Sequence, residues 1–308
     1  MNVWTWLALT GAVVVALLVV EEVRRHALRG AAGRRFLRHP AATPALFVLA
    51  FFVTLALAAR LVAPYDPFRQ LDIVRLANLP PSARFLLGTD PLSRDVWSRL
   101  VHGARISLGI GALAMLVAVT MGALVGSLAG YFRGWIDTTL MRLVDVALAM
   151  PRVFVFLMVV ALWDGVALWV LVLLIGLTGW FGTSRLVRAE VLSLREREFV
   201  AAAGALGAGP TRIIVRHVVP NAAAPIIVSA ALGIGNVMLL EAALSFLGMG
   251  VPSPKPSWGN MIADGWPKID VAPWSATFPG LAISLVVMAF NAVGDALRDA
   301  LDPRKERR

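Results

Sequence analysis

Residues able to do chemistry are few in this chain, and they are set apart from one another. His26, His39, His102 and His217 form no i, i+4 pair and no His-Glu-x-x-His run, so neither a metal site nor a histidine base has its usual neighbours. The absence of cysteine removes disulfides, thiolate metal sites and a cysteine nucleophile. Lysine occurs only as Lys255, Lys268 and Lys305, and none follows a glycine. A phosphate-cradling Gly-Lys loop is therefore impossible. There is also no Gly-x-Ser-x-Gly elbow. No catalytic residue, no metal site and no cofactor held by the chain itself are expected. What stands out instead is charge in apolar surroundings: Asp145, Arg152, Glu241 and the amide of Asn291. An ionisable group within lipid costs free energy and so marks function or pairing. Asp145 is expected near an interface, paired with Arg152. Glu241 and Asn236 are candidates for lining a translocation path, with packing as the competing role for Glu241.

The elements that must carry these groups follow from composition. The 308 residues are 58% hydrophobic and 16% charged, with mean hydropathy +0.76; soluble domains carry roughly 25% charge. The surplus sits in runs near the ~20 residues that cross hydrocarbon as a helix. About seven runs are predicted: 3–20, 44–62, 106–129, 143–163, 166–181, 225–247 and 278–293. The fourth and fifth are parted only by Asp164 and Gly165, a tight hairpin, and Pro151 should kink the fourth or mark its true start. No ten-residue alternation of a barrel is present.

Net charge is +10, read here as the basic bias of cytoplasmic loops rather than as nucleic-acid binding. Arg24, Arg25, Arg29, Arg34, Arg35 and Arg38 place 21–43 inside, so the N-terminus is outside. Alternation then places 63–105, the Asp164 tip and 248–277 outside. It places 130–142, 182–224 and the C-terminus, with Arg304, Lys305, Arg307 and Arg308, inside. The first run lacks a basic segment before it, and its positive charges follow it. It is therefore read as a retained anchor, not a cleaved signal.

The inner segment 185–220 is too polar to span. Phe199, Ala202, Ala203 and Leu206 share one helical stripe. Gly207 can end that helix in the left-handed region, Gly209 and Pro210 turn the chain, and Thr211 can cap a second short helix through Ile213, Ile214, Val215 and Val218. The product is a helix-turn-helix knob suited to a groove in a soluble partner, or to the lipid surface. Gly122, Gly126 and Gly130, spaced by four, form one face for close helix packing. Trp258, Trp266 and Trp274 fit an interfacial aromatic belt.

The run Glu198-Phe-Val-Ala-Ala-Ala-Gly-Ala-Leu-Gly207, followed by Arg216-His217-Val-Val-Pro220-Asn221, resembles the EAA loop of ATP-binding-cassette (ABC) importer permeases. Leu87-Gly-Thr-Asp-Pro-Leu-Ser-Arg-Asp95 with Gly103-Ala-Arg-Ile-Ser-Leu108, Met141-Arg-Leu-Val-Asp-Val146, Leu244-Ser-Phe-Leu-Gly-Met-Gly250 and Pro256-Ser-Trp-Gly-Asn-Met261 are similar to the second permease of the peptide and nickel uptake systems. These motifs cover nearly the whole chain in order. The departures are Ser93 where glycine is usual, Ala201 where the loop's glutamate falls, and Gly204 where peptide permeases carry arginine.

The resemblance implies an all-α polytopic membrane protein with the type I importer permease fold, plus one extra N-terminal transmembrane helix. It divides the chain into an anchor and basic linker, 1–43, and a permease domain, 44–308. Within that domain lie an extracytoplasmic segment, 64–105, a cytoplasmic coupling loop, 185–221, and an extracytoplasmic loop, 248–277. It assigns ATPase coupling to Glu198, Ala202, Ala203, Gly207, Arg216, His217 and Pro220. It assigns binding-protein docking or gating to Asp90, Arg94, Asp95, Trp258 and Asp264.

The implied partners are a homologous permease, two P-loop ATPases that hold ATP and Mg, an extracytoplasmic substrate-binding protein and the lipid of a bacterial inner membrane. The implied cargo is di- or oligopeptides; nickel chelates and glutathione-like molecules are the alternatives. A stand-alone secondary transporter would want midplane polar ligands and inverted repeats, and neither is visible.

Overall fold

Backbone amides in lipid find no water, so apolar runs must close their own hydrogen bonds as helices. The computed structural model describes residues 3–162 and 167–302 and has no strand among them, only an isolated bridge between Thr89 and Asp95. Helix α1 (Val3–Ala27) contains the first expected span and continues until Arg24, Arg25 and His26 fill its last turn, where cations offset free carbonyls. Helix α2 (Ala31–Arg38) is short, and α3 (Ala42–Leu57) leaves it at 92°. After a break at Ala58, α4 (Ala59–Val62) completes the second expected span. Helix α5 (Ile73–Leu76) is one turn, capped by the Asp72 carboxylate, which accepts from the amides of Val74 and Arg75.

Helix α6 (Val96–Phe132) has 37 residues and so is about 55 Å long, far more than the ~30 Å of hydrocarbon. The end of the segment 64–105, expected as loop, is thus the helix's first turns. The fourth expected span is divided into α7 (Gly134–Ala149) and α8 (Arg152–Leu162). Met150 between them is extended, with ψ 125°, because Pro151 clashes with an α-helical predecessor. The Asp164–Gly165 tip and the basic C-terminal residues from Arg304 lie outside the described residues.

Helix α9 (Leu168–Arg195) runs past its expected end at 181, so the polar loop begins later than position 185. Then come α10 (Glu198–Ala205), α11 (Pro210–Ile213), a π turn (Ile214–Val218) and α12 (Val219–Asn221). Helix α13 (Ala223–Phe246) matches the sixth expected span. The loop after it holds α14 (Trp258–Gly265) and a 3-10 turn, Trp266–Lys268. Helix α15 (Trp274–Leu301) closes the series. Among the described residues four helices, α6, α9, α13 and α15, are each long and apolar enough to cross a membrane, and α2 and α3 pass the same test only when taken together.

The chain forms two compact units. The first comprises Met1–Ala112, Gly165–Leu171 and Ile234–Arg308. Its core gathers on Trp258, whose indole N–H donates to the Leu100 carbonyl at 2.9 Å and whose ring meets Phe52 edge-on at 5.4 Å. The second comprises Leu113–Asp164 and Val172–Gly233. Here α6 and α9 meet through the predicted glycine face. A Cβ on Gly122 would lie 2.6 Å from Thr183 Cβ, one on Gly126 would lie 2.5 Å from the Ser184 carbonyl oxygen, and one on Gly130 would lie 2.8 Å from that of Arg188. Only hydrogen fits at these positions, so the two backbones touch.

Candidate functional site

The knob predicted between the fifth and sixth spans is present in the second unit. Arg197, extended at ψ 145°, starts α10, and Glu198 sits in its first turn, where a carboxylate favours the helix dipole. Gly207 ends the helix at φ +82°. The Gly207 amide donates to the Gly204 carbonyl at 2.9 Å and the Ala208 amide to that of Ala203 at 3.1 Å, the paired bonds of a Schellman cap. Gly209 is the extended residue before α11 and Pro210 occupies its first turn, where a missing N–H costs nothing. Thr211, expected as a cap, is therefore inside the helix. Pro220 cannot donate to a helical ladder, and the wider π turn lies just before it. The Asn221 side-chain amide donates to the His217 carbonyl at 2.6 Å.

Burial divides the expected stripe. Val200 and Ala203 of α10 pack with Ile213, Val218 and Ala222 on Val187 and Val191 of α9. Phe199, Ala202 and Leu206 face outward, and Leu206 is 89% exposed. The reason is shape: Val200 and Ala203, one turn apart, fit the valine surface of α9. Of the residues expected to couple to an ATPase, Ala203 is buried, His217 is half-buried, and Glu198, Ala202, Gly207, Arg216 and Pro220 are exposed. Ala201 and Gly204 are exposed too, and a Cβ on Gly204 would meet nothing.

A second constellation lies in the first unit. Asp90 accepts the amides of Leu92 and Arg94 on Oδ1, at 2.9 and 2.8 Å. Its Oδ2 takes Arg94 Nε and Arg99 Nη1, both at 2.6 Å. Asp264, brought by α14, closes the ring, with its Oδ2 at 2.7 Å from Arg94 Nη2 and 3.0 Å from Arg99 Nη2. Asp95 caps α6 by accepting from the Ser98 amide at 2.8 Å and hydroxyl at 2.6 Å. Burial holds the Asp95 carboxyl above the usual carboxylate range, against the pull of those two bonds. Ser93 lies between them at φ +57°. Left-handed backbone suits glycine, which is the residue expected there by resemblance.

The inner-membrane component of binding-protein-dependent transport systems is matched over residues 122–307. The N-terminal transmembrane domain of oligopeptide transport permease C is matched over residues 28–81. The dipeptide transport system permease protein DppC of Alkalihalophilus pseudofirmus is 42% identical over 84% of this chain and 84% of its own. This chain belongs to that family of inner-membrane transport components. The glutathione transport system permease protein GsiD of Pectobacterium atrosepticum is 40% identical over 88% of this chain and 89% of its own. The oligopeptide transport system permease protein OppC of Bacillus subtilis is 38% identical over 88% of each. The protein is an ABC-importer permease, a multi-pass inner-membrane subunit of a larger transport system.

Within the permease, Asp90, Arg94, Asp95 and Trp258 are buried, and Asp264 is the exposed member of its group, at 39%. Trp258 is thus a core residue and not part of an interfacial belt. Trp274 is half-buried and donates to the Thr89 carbonyl at 3.0 Å, and only Trp266 of the three is exposed. Glu241 is buried, with Oε1 accepting from the Ser245 hydroxyl at 2.7 Å and Oε2 from that of Ser107 at 3.3 Å. Ser257 reaches Ser245 at 3.4 Å, and the Trp258 amide reaches Ser107 at 3.2 Å. The carboxylate therefore ties α13 to α6, and the two serines it holds in turn meet the start of α14, all within the first unit. Asn236 is exposed on α13.

Asp145 pairs with Arg185 of α9, not with Arg152. The expected pair fails because Pro151 separates α8 from α7. Asp137 takes Arg188, with Nη2 to Oδ2 at 2.6 Å, and Glu196 takes Arg133.

Arg99 and the three serines went unnoticed in the sequence. Arg99 had one visible sign, an arginine five positions beyond Arg94 at the head of a long apolar helix. Ser245 had one too, its place one helical turn beyond Glu241, whereas Ser107 and Ser257 had none, because they meet the group only in space.

Proposed function

We propose that this permease pairs with a homologous permease to form a path for di- and oligopeptides delivered by an extracytoplasmic binding protein. The peptide cargo is supported by the words dipeptide, oligopeptide and glutathione in the names of the relatives. Two P-loop ATPases, holding ATP and Mg, drive the cycle, and the permease carries no nucleotide site of its own. The N-terminus is outside and the C-terminus cytoplasmic, following the arginine-rich inner loops.

The observation that carries the reading is the outward apolar edge of the α10–α11 hairpin, Phe199 and Leu206 above all. Large apolar side chains left outward on a hairpin too polar to span, Leu206 at its tip and Phe199 at its base, are surface kept for a partner. The hairpin's inner face is packed on the α9 valines, so a push on the tip moves α9. ATP closes the ATPases, and it favours one permease state only as far as it binds the two states differently. The ring of Asp90, Arg94, Arg99 and the more exposed Asp264 fastens α14 to the head of α6 and shapes the outer surface on which the binding protein sits.

The test is Leu206→Asp in the assembled importer. Peptide uptake and binding-protein-stimulated ATP hydrolysis should fall together, with the complex still present in the membrane. Normal values of both would end the coupling role. Mass spectrometry of the ligand retained by the partner binding protein checks the cargo; a nickel chelate there would remove the peptide assignment.

A further inference from the structure

From the last two turns of α1 to the end of α2 the permease carries six arginines, Arg24, Arg25, Arg29, Arg34, Arg35 and Arg38, against two glutamates, Glu21 and Glu22. The glutamates are already engaged: Glu21 pairs with Arg24 and Arg25, and Glu22 with His26. Helix α2 is pinned by protein on its other side. Phe36 is buried with Ala42, Ala296 and Ala300, and Leu37 packs on the same cluster. A Cβ on Gly33 would overlap the Ala27 carbonyl oxygen, so the end of α1 presses directly on α2. The face left over carries Arg34 and Arg38, one turn apart and both exposed, with exposed Arg29 just before it. Arg34 gives one N–H to the Leu28 carbonyl at 3.1 Å, which holds the guanidinium in place. Arg35 is half-buried, at the border between that face and the packed one.

Orientation supplies the second observation. Helix α3 departs from α2 at 92°. Crossing helices tilt by ~20° on average, so α2 lies near the plane of the bilayer, at the headgroup level where α3 begins. A rigid helix in that plane, with arginines outward and its apolar side chains already buried in protein, is matched to phosphate diesters.

We propose that Arg29, Arg34 and Arg38 form a binding surface for anionic phospholipid headgroups. Arginine suits the task because its planar fork gives two hydrogen bonds to one phosphate. The lipid clamps α2, and through Phe36 it steadies the C-terminal end of α15. The proposal rests on α3 being a crossing; its sidedness is a separate matter.

The experiment uses the assembled importer with its full-length permease in detergent, with lipid and subunit retention counted by native mass spectrometry. The probes are dioctanoyl phosphatidylglycerol, dioctanoyl phosphatidylcholine and inorganic phosphate. Phosphatidylglycerol should be retained well above phosphatidylcholine, and phosphate should not displace it. The Arg34→Gln/Arg38→Gln variant should lose about 25-fold in phosphatidylglycerol affinity, at ~5-fold per arginine. Arg69→Gln/Arg75→Gln, in the segment after α4, should change nothing. Equal retention of the two lipids, or an undiminished α2 variant, overturns the proposal. So does displacement by phosphate, which would mean a plain anion site. Loss of ATPase subunits instead of lipid on Arg34→Gln/Arg38→Gln would assign the surface to protein and also overturn it. Sidedness is read independently with Gly30→Cys in this cysteine-free chain. Labelling by an impermeant maleimide from outside intact cells would reverse the proposed orientation and leave the lipid result standing.

Discussion

Replacing Gly126 by alanine adds one methyl group to the tightest contact between α6 and α9. Its Cβ would stand 2.5 Å from the Ser184 carbonyl oxygen, 2.8 Å from Val187 Cβ and 3.0 Å from the Arg188 amide nitrogen. A carbon normally rests about 3.3–3.6 Å from a carbonyl oxygen, so α9 must withdraw by roughly 1 Å. The obstacle is backbone, which cannot rotate away as a side chain would. Forced overpacking costs typically 1–3 kcal/mol, and alanine returns about 0.5–1 kcal/mol of helix preference over glycine. The balance is a loss of up to about 2.5 kcal/mol, centred near ~1 kcal/mol. Gly182, on α9, has nothing within 4 Å of its Cβ, so Gly182→Ala keeps only the gain. Thermal unfolding of the detergent-solubilised complex, followed by size-exclusion fluorescence, compares the two. Gly126→Ala should melt lower than the parent and Gly182→Ala slightly higher. If Gly126→Ala melts at or above the parent, the close approach of the two helices is wrong.

In the charge ring, Asp90→Ala leaves two buried guanidiniums to share Asp264 alone and should cost about 3–5 kcal/mol. Asp264→Ala opens the more exposed end and should cost much less, because solvent screens that pair; the order of the two melting temperatures checks this. Ser93→Gly relieves left-handed strain of roughly 1–2 kcal/mol at ~0.5–1 kcal/mol of added chain entropy, so the melting temperature should hold or rise slightly, and a clear drop would contradict the backbone reading. Asp95 carries a folded-state pKa raised by burial from its ordinary 3.8. Its contribution to stability is therefore complete below that value and is lost as pH rises through the raised one. Asp95→Asn keeps the cap on α6 and should remove that part of the pH dependence, as seen in melts taken across the acid range.

The sequence made legible what depends on local chemistry. Gly207 could be read as a helix terminator from residue type alone, and Pro151 as a break, because each constrains its own backbone. The glycine face at 122, 126 and 130 was readable as spacing, although not its partner. Helix ends were less accessible. Helices α6 and α9 continue well beyond their apolar runs, because helical hydrogen bonds do not stop where lipid does. The stripe on α10 divided because an eight-residue helix offers too few turns to say which apolar residues meet protein. Side-chain partnerships across the fold were out of reach. Asp145 chose Arg185 forty positions away, and Glu241 found Ser107 on another helix.

Coupling through the permease requires that the tip of the α10–α11 hairpin lie against a nucleotide-hydrolysing subunit. Leu206→Cys supplies a unique thiol there, and its rate of maleimide labelling can be followed in inside-out vesicles with and without the ATPase subunits. The expected result is rapid labelling of the stripped permease and strong protection once those subunits are restored. Equal rates in both preparations, or labelling confined to right-side-out vesicles, would contradict coupling through this hairpin.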